Sequence, residues 1–186
     1  MKFREFWQRY KNDFFKLLTT RVALLVFSIV CTSPLLVMDT QGRESNVNTI
    51  VILATVFVFA FYYYLIHSQL WAKGAKDKIA AEGGRLKLNS LTGLYIGLLA
   101  SAPSFLLNIL NTATWFYKDY AGVRGFHTAT ALLELIWDAP ALGMYYVTQT
   151  PFAYMLASVL PALFAGLSYY LGTKEFKLFG SKNPKQ

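Results

Sequence analysis

Two groups of side chains carry chemistry at spacings that place them together. The first is Ser101, Ser104, Asn108 and Asn111, continuing a series begun by Gly93 and Gly97. Steps of three and four put all of these on one face of an α-helix. Amide and hydroxyl groups inside a bilayer are costly unless satisfied, so such a face either lines a solute path or bonds to neighbouring helices. The second group is His127, Glu134 and Asp138, which share one helical face through Ala131. Imidazole and carboxylates on one face could hold a divalent cation, but the spacing is not that of a zinc signature. The alternative is the wet face of an amphipathic helix. Asp138-Ala139-Pro140 adds a helix-start signal, an N-cap acid with proline in the first turn. It predicts a break at Asp138, and broken helices in membranes expose their ends to cavities.

These groups must be positioned by a membrane bundle. The chain has 186 residues, 55% of them hydrophobic and only 15% charged, against about a quarter charged in soluble domains. Several charge-free runs reach the roughly 20 residues a spanning helix needs. The predicted fold is all-α: a single polytopic membrane domain with spans at about 17–38, 47–71, 88–112 and 152–171. The third span holds the Ser-Asn face, with Leu94, Leu98, Leu106 and Leu110 on its other sides.

The first sixteen residues are too charged to cross. Phe3, Phe6, Trp7, Tyr10 and Phe14 recur at helical spacing against Lys2, Arg4, Arg9 and Lys11, which predicts an amphipathic helix lying at the membrane interface; a helix docked on a partner subunit is the other reading. Arg21 falls in the first turn of the first span, where it can snorkel to the interface. Pro34 is expected to end or kink that span. The aromatic run Phe57 to Tyr64 is expected to approach the membrane boundary. Residues 73–87 read as a basic loop in which Gly83-Gly84 stops any helix. The stretch 125–150 reads as a broken amphipathic, re-entrant segment, divided from the last span at Pro151. Pro161 should kink that span, and the tail 173–186 follows.

The formal charge is +8, but it is distributed as topology rather than as a nucleic-acid footprint, so no nucleic-acid partner is expected. Fifteen of the eighteen Lys and Arg residues fall in the first twenty-one residues, the 73–87 segment and the tail. Positive loops stay in the cytoplasm, so both termini are expected inside, with four crossings. The single cysteine, Cys31, lies in the first apolar run and reads as filler. Walker, dinucleotide, G-x-S-x-G and H-E-x-x-H patterns are absent, so an enzyme, a cofactor and a metal centre are not expected.

The segments Arg85-Leu86-Lys87, Gly97-Leu98-Leu99-Ala100-Ser101-Ala102-Pro103-Ser104 and Tyr169-Tyr170-Leu171-Gly172-Thr173-Lys174 resemble small uncharacterised bacterial polytopic membrane proteins. The resemblance implies a bacterial cytoplasmic membrane and this fold type, and no mechanism. Two functions stay open: a non-catalytic subunit or accessory factor, with a membrane protein partner or a homo-oligomer besides the bilayer, or a small-solute transporter or solute-binding component working as an oligomer.

Overall fold

Four helices are long and apolar enough to cross a membrane, and together they form the body of the molecule. The structure, a computed structural model, describes residues 3–40, 47–148 and 150–176. The predicted loop around Gly42 to Glu44 and the tail beyond 176 lie outside the described residues. In chain order the helices are α1 (Phe3–Thr40), α2 (Val47–Glu82), α3 (Thr92–Trp115), α4 (Ala121–Trp137), a 3-10 turn (Ala139–Ala141), α5 (Leu142–Thr148) and α6 (Phe152–Thr173). The described residues contain no strand.

The first two helices are longer than the sequence pattern implied. Residues 1–16 were expected as a separate interfacial helix; from Phe3 on they are instead the first turns of α1, which runs unbroken through Pro34 for 38 residues. At 1.5 Å per residue that is about 57 Å, against a hydrocarbon core of about 30 Å. The reason is packing: Tyr10 is 3% exposed and belongs to the same core as Leu24, Ile66 and Tyr169. A helix lying in the headgroup plane would leave that ring outside the bundle. The basic segment 73–87 likewise begins as helix, because α2 continues to Glu82. It ends at the expected glycines. Gly84 has φ +71, and Arg85 N–H bonds to Ala80 C=O at 2.9 Å while Gly84 N–H bonds to Ala81 C=O at 3.0 Å, the Schellman arrangement that needs a left-handed residue.

α2 therefore carries its aromatic run at mid-length of the helix. Phe57 and Phe61 pack on Phe27 of α1, and Tyr62 is buried. At one end of the bundle Tyr10, Asp77 and Tyr169 meet: both phenols donate to the Asp77 carboxylate, at 3.1 and 2.9 Å. Lys73 lies 3.6 Å from Asp13 and 3.5 Å from Asp77. We call this the basic end. Cys31 is half-buried beside the same core.

α3 and α6 cross at close range because both present small residues. A Cβ on Gly97 would stand 2.6 Å from the Ala165 Cβ and 2.8 Å from the Ala162 Cα, and one on Gly93 would run into Tyr169. Backbones that approach this closely gain dispersion contacts that lipid cannot match. The same device recurs between Gly74 of α2 and Gly172 of α6.

Between α3 and α6 the chain dips into the bundle and returns. α4 runs antiparallel to α3, as the pairings Thr114 with His127, Asn111 with Glu134 and Ser104 with Asp138 require. The chain breaks at Asp138-Ala139-Pro140. α5 then climbs beside the start of α2, where Gly143 sits against Thr55 and Val51. With 7 residues, about 10 Å of helix, α5 is too short to cross. Both ends of the α4–α5 hairpin therefore lie on one side, opposite the basic end, and α6 crosses from Phe152.

Candidate functional site: a buried polar cluster at the hairpin

All six residues of the small and polar series on α3 are buried. Their face is divided between two neighbours. Gly93 and Gly97 meet α6, whereas Ser104, Asn108 and Asn111 turn to α4 and the break after it. Ser101 lies between the halves; its Oγ is buried without a hydrogen-bond partner among the described residues, and it joins neither.

The cluster centres on Asp138, 3% exposed. Ser104 Oγ donates to Asp138 Oδ1 at 3.0 Å and Asn108 Nδ2 donates to Oδ2 at 2.9 Å. Asn108 Nδ2 also reaches the Ser104 carbonyl of its own helix at 2.7 Å. Trp137 Nε1 donates to Ser104 Oγ at 3.0 Å, so the indole, the hydroxyl and the carboxylate form a chain. One turn back along α4, Asn111 Nδ2 donates to Glu134 Oε2, and Glu134 is fully buried.

The counter-charge comes from a residue that the sequence placed elsewhere. Arg21, expected to snorkel to the interface, is 5% exposed and forms an ion pair with Asp138 through Nη2. Its guanidinium also lies 5.9 Å from the centre of the Trp137 ring. The physical reason is depth. Because α1 is one continuous helix from Phe3 and is already buried at Tyr10, Arg21 is carried along it into the bundle. Arg21 lies eleven residues beyond Tyr10, and Ser104 eleven beyond Gly93, which packs against Tyr169. Both offsets amount to about 16 Å of helix, roughly half a hydrocarbon core. A charge at that depth needs a partner, and Asp138 is brought to it by the hairpin. Ser28, two turns along α1, fixes the turn itself by donating to the Ala139 carbonyl at 2.8 Å.

Tyr62 of α2 and Tyr154 of α6 border the cluster, within electrostatic reach of Asp138. Tyr154 stacks on Tyr145 with ring centres 5.0 Å apart. Several polar atoms of the cluster are buried with no hydrogen-bond partner among the described residues: Arg21 Nε and Nη1, Asn108 Oδ1, Asn111 Oδ1, Glu134 Oε1 and the Tyr154 hydroxyl. Donors and acceptors are both represented.

His127 stands apart. Its Nδ1 is 3.0 Å from Thr114 Oγ1, and seven residues, about 10 Å of helix, separate it from Glu134. The three residues His127, Glu134 and Asp138 share the face of α4 that meets α3, but only the two carboxylates belong to the cluster. Among the described residues no three His, Cys, Asp or Glu side chains gather as metal ligands would. Arg21 is the residue that sequence reasoning missed; the signal available was a lone arginine followed by an uncharged run.

No family model, curated protein or solved structure matches the chain.

Proposed function

We propose that this integral membrane protein is a non-catalytic component of a bacterial cytoplasmic membrane, both ends cytoplasmic, that binds a small polar solute at the α4–α5 hairpin. The observation that carries this reading is the buried Arg21–Asp138 pair at the hairpin break, about 16 Å of helix from the basic end, with donors and acceptors around it that are unmatched among the described residues. Ionisable groups at that depth mark solute or ion paths in membrane proteins, and transporter sites form where helices are interrupted near the midplane. A solute offering both a carboxylate-like acceptor and a donor would complement Arg21 on one side and Glu134, Asn108 and Asn111 on the other. With about four spans, a transport cycle would run in an oligomer or beside a partner subunit.

A second reading is favoured by the hydrogen bonds already made: Asp138 is fully engaged by Arg21, Ser104 and Asn108. The cluster would then only lock the hairpin, and the protein would act as an accessory subunit. The two readings separate in nanodiscs. Wild type and the Asn108→Leu/Asn111→Leu variant are purified gently, and bound small molecules and proteins are identified by mass spectrometry. A solute present with wild type and lost from a folded double variant supports the binding component. A solute-free wild type that keeps a stoichiometric membrane protein partner refutes it in favour of the accessory reading.

A further inference from the structure

A groove of about 1580 Å³ runs along the outside of the bundle between the start of α1, the 83–91 connection and α3. It lies at the basic end and is separate from the hairpin cluster. Its mouth holds three cations, Arg9, Arg85 and Lys87, which make no ion pair among the described residues. Glu5 is the one acid on the wall. From this mouth the floor descends along α3 through Tyr95, Leu98 and Leu99 to Ala102. From Thr92 to Ala102 is ten residues, about 15 Å of helix. The groove is therefore charged where the chain leaves the bundle and apolar where it follows a membrane-length helix.

We propose that this groove binds an anionic phospholipid, its phosphate held by Arg9, Arg85 and Lys87 and one acyl chain laid along α3. Charge complementarity selects the head: three cations against one carboxylate attract an anionic phosphodiester and give a zwitterionic headgroup no comparable gain. Guanidinium groups add bidentate hydrogen bonding to phosphate oxygens. The apolar floor selects a lipid over a free anion, since a soluble phosphate would leave Leu98 and Leu99 unmatched. The vertical order, head cations above a strip about 15 Å long, is the order of a phospholipid in one leaflet. Gly84, with φ +71, ends α2 and turns the chain so that Arg85 and Lys87 face this groove instead of continuing along the helix axis.

The test is native mass spectrometry of the full chain in a neutral detergent, titrated with phosphatidylglycerol or phosphatidylcholine of matched chains. The expected result is preferential retention of phosphatidylglycerol. Arg85→Gln/Lys87→Gln should lower its affinity by about 25-fold, roughly fivefold per charge, and lower phosphatidylcholine binding much less. Leu98→Trp, which fills the floor with the charges intact, should weaken phosphatidylglycerol as well, whereas Lys118→Gln, outside the groove, should not. Equal retention of the two lipids overturns the proposal. So does unchanged phosphatidylglycerol binding in the charge variant, displacement by glycerol phosphate at the lipid's own concentration, or a lipid-free dimer that buries the groove.

Discussion

Removing either partner of the Arg21–Asp138 pair should be among the most damaging single changes available in this chain. Arg21→Met leaves a carboxylate that two neutral donors, Ser104 and Asn108, cannot compensate. Asp138→Leu strands a guanidinium 5% exposed and also orphans those two donors. Breaking a buried ion pair from one side costs about 3–5 kcal/mol, because the remaining charge stays desolvated. The double variant Arg21→Met/Asp138→Leu removes both charges and leaves only the Ser104 and Asn108 donors unmatched, each about 1–3 kcal/mol. The arithmetic predicts single losses that sum to about 6–10 kcal/mol and a double loss of about 2–6 kcal/mol, hence a coupling of about 4 kcal/mol between the midpoints. Reversible unfolding in mixed micelles, followed by Trp fluorescence on the four variants of the cycle, reads this directly. Singles within about 1 kcal/mol of wild type, or strictly additive effects, would refute a dry ion pair and with it the docked hairpin.

Other consequences can be checked with the same assay or simpler ones. Gly97→Ala puts a Cβ 2.6 Å from the Ala165 Cβ and should cost about 1–3 kcal/mol through overpacking of α3 on α6, while Gly122→Ala, with nothing within 4 Å, should be neutral or stabilising by up to about 1 kcal/mol; equal thermal midpoints would contradict the close crossing. Asp77→Leu strips two phenols of their shared acceptor and should destabilise by about 2–4 kcal/mol, with enhanced proteolysis near Tyr10 as a local readout. A reporter fused after Gln186 should be active only in its cytoplasmic form; activity confined to the opposite side would refute four crossings with both ends inside.

The four membrane-length helices, the buried Ser-Asn face of α3 and the break at Asp138 were legible in the sequence because each depends on local pattern. A charge-free run of about 20 residues has few alternatives to spanning, residues spaced by three and four share a face in any helix, and Asp-Ala-Pro interrupts a helix whatever surrounds it. The stop at Gly83-Gly84 belongs to the same class. What the sequence pattern left open was the extent of α1 and α2, where charge suggested a surface segment and a loop. Burial of Tyr10 beside Tyr169 and Asp77 is a long-range contact with no local signature. Tertiary structure alone decided which neighbour each half of the α3 face meets, and it placed Arg21 in the polar cluster, paired with Asp138. The physical reason is register. A side chain's depth depends on where its helix enters the bundle, and its partner depends on how far the hairpin descends. Both are set by packing among residues more than a hundred positions apart, Arg21 with Asp138 and Ser28 with Ala139.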